Sequence, residues 1–435
     1  MTTDLQKTSS PPADPRIGNC LTGPEIASAV RETLAATRFI DIHTHLFAHS
    51  FGKLSLWGID ELLTYHYLEA ELFRSSDVAP EDYWRLSKSE RADLIWRTLF
   101  VENTPLSEAT RGVIAVLHAF QLPTHQGALG EARVFFKEQK LETHIPRVFR
   151  MAGLSSVIMT NDPLDPDEAP LWQKGAEGHE QFHAVLRLDR ILNAWPTHWQ
   201  VLAAQGYAVD AHASGKSTSE VRRFLADWAT RMKPVYMACS VPDAFEFPSE
   251  SLNGLLLRDA VLPACREFRL PLSLMIGVRK QVNPRIRLAG DGVGRADLRT
   301  VETHCRDFAA NRFLVSVLSR ENQHELCVLA RKFNNLLPFG CWWFLNNTSI
   351  VEEITRERIE MLGASFIPQH SDARVLEQVI YKWANTRRTV ANILAENYRL
   401  LSDDGRGVTR SDIQRDVNRL FRSNAESWMN LGPQA

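Results

Sequence analysis

Two histidines one residue apart, His43 and His45 in Asp41-Ile-His-Thr-His45, are the first residues along the chain whose type and spacing could do chemistry. Strand side chains alternate faces with period two, so both imidazoles project the same way and can share one divalent ion. Such an ion needs a further hard or borderline ligand, and Asp372 in His370-Ser-Asp-Ala-Arg374 offers a carboxylate. An Asp in that setting also serves as a helix N-cap, and a His-x-His pair also occurs on surfaces. The elements that carry the three residues decide between these readings.

Short apolar runs recur along the chain, each followed by a helix-length segment: SSVIMT (155–160), FHAVLRL (182–188), VYMACS (235–240), PLSLMIG (271–277), RFLVSVL (312–318), LLPFGCWWF (336–344) and ASFIPQ (364–369). With RFIDIHTH at 38–45 there are eight. Strands alternating with helices imply parallel pairing, and eight of them predict an α/β fold closed as a (β/α)8 TIM-like barrel; an open doubly wound sheet is the other arrangement. A helix is predicted over 22–37. From 57 to 150 apolar residues recur at helical spacing without an intervening strand, which predicts a helical insertion after the first strand.

Barrels place chemistry at the C-terminal ends of their strands. That rule selects His43, His45, Asn161, Asp162, Arg187, Arg279, Ser319, Arg320, Trp343, Asp372 and Arg374. Ring closure sets the last strand beside the first, which brings Asp372 to the two histidines. The guanidinium forks of Arg187 and Arg374 suit a substrate carboxylate, although either could equally form a structural ion pair.

Fifty Lys and Arg against 52 Asp and Glu leave no field to gather nucleic acid, so a small-molecule substrate is expected. The six cysteines are scattered without metal-binding or disulfide spacing, and read as reduced thiols in a cytoplasmic protein. Residues 1–21 read as a flexible tail, with 22–435 forming the barrel and its insertion. No apolar run is long enough to cross a bilayer, so no membrane association is expected. Association of identical chains is left open.

Several ordered motifs together resemble the uronate isomerase (glucuronate isomerase) family of the amidohydrolase superfamily: FIDIHTHL at 39–46, YHY at 65–67 with Arg74, TNDPLD at 160–165, RLDR at 187–190, IGVRKQVNPR at 276–285, WWF at 342–344 and SDAR at 371–374. The resemblance implies that His43, His45 and Asp372 hold a divalent ion, zinc by the family pattern. It implies that His66 and Tyr67 fold over the pocket from the insertion. Arg187 and Arg374, with Trp343 and Arg279, would meet a carboxylated sugar. The chain departs from the family at Met275, where isomerases carry a histidine, and at Cys239-Ser-Val-Pro-Asp243, where they carry Ser-Asp-His.

Three functions are compatible with these residues. The first is aldose–ketose isomerisation of a hexuronic acid through an enediol, with Asp372 or Tyr67 moving the proton and His66 beside them. In the second, a metal-activated water hydrolyses an amide or lactone, with Asp372 as ligand and base. The third is a barrel that binds without catalysis.

Overall fold

The computed structural model describes residues 20–125, 127–176, 180–429 and 431. The expected tail lies outside them as far as residue 19.

Among the described residues ten strands are formed: β1 (Phe39–Asp41), β2 (Leu154–Ile158), β3 (Phe182–His183), β4 (Leu186–Arg187), β5 (Met237–Val241), β6 (Leu272–Ile276), β7 (Val278–Arg279), β8 (Gly292–Val293), β9 (Phe313–Val317) and β10 (Leu336–Pro338). One parallel sheet runs β1-β2-β3 and another β10-β9-β6-β5-β4. Single contacts join them into a ring. Asn161 bridges Leu186 in parallel, and Phe339 bridges Ile367. On the far side, Asp372 N–H donates to His43 O at 3.1 Å and His45 N–H to Ala373 O at 2.7 Å.

The residues along each strand divide between two cores, as a closed barrel requires. On β6, Leu272, Leu274 and Ile276 join the large outer cluster under the helices, whereas Met275 points into a smaller inner one. On β9, Phe313, Val315 and Val317 face outward and Leu314 inward. Ile40, Ile158, Val185, Ala238, Leu337 and Ile367 complete the inner filling.

The strands are shorter than their apolar runs, and three of the runs show why. FHAVLRL splits into β3 and β4 because the Asn161 side chain takes a ladder position, accepting from Val185 N–H at 3.3 Å. LLPFGCWWF ends as a strand at Pro338, since Gly340 turns the chain at φ 64° and Trp343 opens a short 3-10 turn. ASFIPQ makes only the bridge at Ile367, because Pro368 has no N–H to donate.

Gly340 is needed for a second reason. A Cβ there would lie 1.9 Å from His370 Cδ2. Gly340→Ala should therefore lower stability by about 2–4 kcal/mol through overpacking and a disfavoured φ, read as a shifted urea midpoint. An unshifted midpoint would mean that His370 is not held in place.

Between β1 and β2 the chain is helical, including His66–Ser75, Lys88–Trp96, Glu108–Ala119, Ala128–Lys137 and Leu141–Ala152. A capping box of Ser87 and Glu90 starts Lys88–Trp96. Left-handed Gly153 ends Leu141–Ala152 and delivers the chain to β2. Among the described residues no helix is long and apolar enough to cross a membrane.

Candidate active site

His43 and His45 leave the end of β1 two positions apart, and Asp372 returns beside them from the ring-closing segment. Asp41 fixes that return. Its Oδ1 accepts from Ser371 N–H at 3.0 Å and its Oδ2 from Trp383 Nε1–H at 2.8 Å. Burial pushes the Asp41 carboxyl up to about 6 despite these bonds. The adjacent Asp372 takes a left-handed backbone, φ 51°, which an Asp tolerates better than most residues.

One nitrogen from each imidazole and one Asp372 oxygen lie within 4.8 Å of one another. Asp372 Oδ1 stands 3.3 Å from His45 Nε2 and 3.6 Å from His43 Nε2, and although buried it makes no hydrogen bond. The tautomer of His43 follows from its neighbour. Tyr236 donates its hydroxyl hydrogen to Ile42 O at 2.8 Å, so its oxygen is left to accept from His43 Nδ1–H at 3.4 Å. His43 Nε2 then carries a lone pair toward Asp372. Two neutral imidazoles and an orphaned carboxylate oxygen converging on one point fit a divalent metal ion.

Burial drives the His43 imidazole down to about 3, and drives His45, His66 and His370 well below their usual range. Arg374 and Arg187 add to the effect on His45. The folded values lie below the unfolded value of about 6.5, so between these limits the unfolded chain binds more protons. Chelator-stripped protein should lose stability as pH falls below about 6.5, by up to roughly 1.4 kcal/mol per pH unit for each imidazole. Urea midpoints between pH 8 and 4 would test this, and a flat profile would contradict it.

The metal group opens into a cavity of about 350 Å³. His43, His45, His66, Arg187, Trp343, Asp372 and Arg374 all line it, as do Asp189, Lys280 and Leu288. Arg187 is held by Asp189 in a two-point ion pair, with Nε at 2.8 Å and Nη2 at 3.0 Å from its oxygens. Arg374 engages the chain through its backbone N–H, which donates to Gln378 Oε1 at 2.9 Å, and among the described residues its guanidinium has no ion-pair partner. Together with Lys280, the two arginines make the wall positive, which suits a carboxylate.

Other selected residues go elsewhere. Arg279 is exposed and does not line the cavity, because β7 alternates and it is Val278 and Lys280 that face inward. The hairpin of β7 and β8 that carries them had no signal beyond the IGVRKQVNPR motif. Tyr67 lines an adjoining cavity of about 260 Å³, which shares His66, Leu288 and Trp343 with the first. Asn161 donates to Glu168 Oε1 at 2.7 Å, and Asp162 pairs with Arg190 at 3.0 Å. Ser319 caps a turn by accepting from Glu321 N–H, and Arg320 pairs with Glu353 at the surface. Met275 is buried in the inner core.

A uronate isomerase of known structure from Bacillus halodurans is 46% identical to this chain, superposes with a TM-score of 0.92, and is matched over 94% of this chain and 97% of its own. The chain belongs to the uronate isomerase family. Two more distant structures share the family's fold, each at 14% identity and TM-score 0.73. They are a uronate isomerase from Thermotoga maritima, matched over 93% of this chain and 97% of its own, and a glucuronate isomerase from Caulobacter crescentus, matched over 98% and 96%. No protein-family profile and no curated protein sequence matches the chain. In this chain the histidine–histidine–aspartate group and both arginines line one cavity.

Proposed function

We propose that this protein isomerises a hexuronic acid, converting the aldose form of glucuronate or galacturonate to the ketose. The observation that carries the reading is the pairing of a histidine–histidine–aspartate group with Arg374 in one cavity, in a chain 46% identical to a uronate isomerase. His43, His45 and Asp372 would hold the ion, which we take to be zinc. When bound, it would polarise the sugar oxygens at C1 and C2.

The remaining roles fall to side chains. Arg374, with Arg187 oriented by Asp189, grips the carboxylate and so sets which carbons lie over Asp372. A base removes the proton from C2 while the C1 carbonyl oxygen takes one up, and the enediol then receives a proton at C1 as its C2 hydroxyl gives one up, which leaves the carbonyl at C2. Asp372 and the Tyr67 hydroxyl are the proton-carrying groups in this reading, since Asp372 Oδ1 and Tyr67 Oη are both buried without a hydrogen bond. His66 and Trp343, shared by both cavities, keep water from the intermediate. A cytoplasmic enzyme accords with the buried, unbridged thiols of Cys239, Cys265, Cys305, Cys327 and Cys341.

Proton NMR of glucuronate and galacturonate incubated in heavy water with zinc-loaded protein tests the proposal. Ketose signals are expected, with deuterium entering C1 of the ketose and, on reversal, C2 of the aldose. Silence with both sugars against confirmed bound metal would overturn it and favour hydrolysis of a lactone or amide.

A further inference from the structure

Behind the wall of the second cavity is a lysine for which the chemistry above has no use. Lys382 belongs to the helix Gln378–Asp403, which follows closely on the segment carrying Asp372 and Arg374. It is 3% exposed, and its Nζ has no hydrogen-bond partner. Two aromatic rings lie near that ammonium, with centroids at 5.6 Å for Tyr67 and 5.9 Å for Tyr381. Tyr381 is clamped from the other side, where a Cβ on Gly112 would come within 2.6 Å of its ring. Glu108 is the acidic group facing Lys382 from Glu108–Ala119, and the lysine's charge opposes the upward push of burial on its carboxyl.

A buried ammonium without a hydrogen bond destabilises a fold, so its presence calls for a function. Tyr67 supplies one. Its hydroxyl is itself buried without a partner, and a cation at its ring favours electron density building up on that oxygen. We infer that Lys382 is a positioning residue for the isomerisation, holding the Tyr67 ring and keeping a positive charge behind the phenol while its hydroxyl exchanges a proton with the sugar. The inference rests on the isomerase reading of Tyr67.

The test is a double-mutant cycle in the zinc-loaded full chain, using Lys382→Met, Tyr67→Phe and the pair, with glucuronate or galacturonate as substrate. Lys382→Met is expected to lower kcat about tenfold with KM changed less than about twofold. Its melting temperature should stay near the wild-type value, since removing a buried charge without a hydrogen bond offsets the loss of the lysine's field at Glu108. In the Tyr67→Phe background it should cost nothing further. Lys382→Arg, which keeps the charge, should recover part of kcat.

Equal losses in both backgrounds, or a melting temperature that falls along with kcat, would overturn the inference and make Lys382 a packing residue. Lys382→Gln carries the same cycle should the methionine variant not fold. Wild-type protein that turns over neither uronate would overturn the isomerase reading and this inference with it. Turnover without coupling between Lys382 and Tyr67 overturns this inference alone.

Discussion

Asp372→Ala should emerge from purification with little or no divalent metal and with kcat lowered by at least about a thousandfold. The carboxylate supplies one of three converging donors, and its Oδ1 lies 3.3 and 3.6 Å from the two imidazoles with no other bond to satisfy. Without it, two neutral histidines remain, a set too small to retain a borderline ion against a chelator. The substitution should not unfold the chain, because Asp41 still holds Ser371 N–H and His45 N–H still reaches Ala373 O. Atomic absorption on dialysed protein, with circular dichroism alongside, measures both effects. Metal content equal to wild type would remove Asp372 from the ligand set.

Arg374→Met carries the second large effect, directed at substrate capture. A guanidinium without an ion-pair partner among the described residues is available to a ligand, and truncating one partner of a charged pair in an enclosed site costs about 2–4 kcal/mol. That is a fall in kcat/KM of roughly 30- to 1000-fold, carried mainly by KM. Melting temperature should hold, since no internal ion pair is broken. Arg187→Met makes the contrast: it leaves the Asp189 carboxylate without its two-point partner, so catalysis and stability should fall together. A kcat effect at constant KM in Arg374→Met would move this arginine from capture to chemistry.

The metal group was legible in the sequence because two simple periodicities met in it. Strand alternation set His43 and His45 on one face, and counting eight apolar runs brought Asp372 round to them. The same reasoning missed by one residue at Arg279, because the hairpin of β7 and β8 begins there and its alternation makes Lys280 the residue that faces the cavity. Asn161, Asp162, Ser319 and Arg320 also follow apolar runs, yet Glu168, Arg190, Glu321 and Glu353 respectively absorb them. Asp41 was visible only as a neighbour of His43, since its role depends on Ser371 and Trp383 across the ring. Lys382 had no signal at all. A lysine on a helix ordinarily reads as solvated, and its burial depends on three-dimensional packing around Tyr67 and Tyr381.

The ring-closing contact has a bearing on how the protein is made. Asp41 and Ser371 stand 330 positions apart, so the three converging side chains come from opposite ends of the barrel's circuit. A ribosome that has finished seven of the eight barrel positions has made both histidines and none of the carboxylate. Three-point binding of an ion would therefore wait until residue 372 has been made. A chain ending before residue 372 would compete for metal with just the histidine pair, whereas with Asp372 present a bound ion would close a very long loop and so guard the barrel's seam against opening.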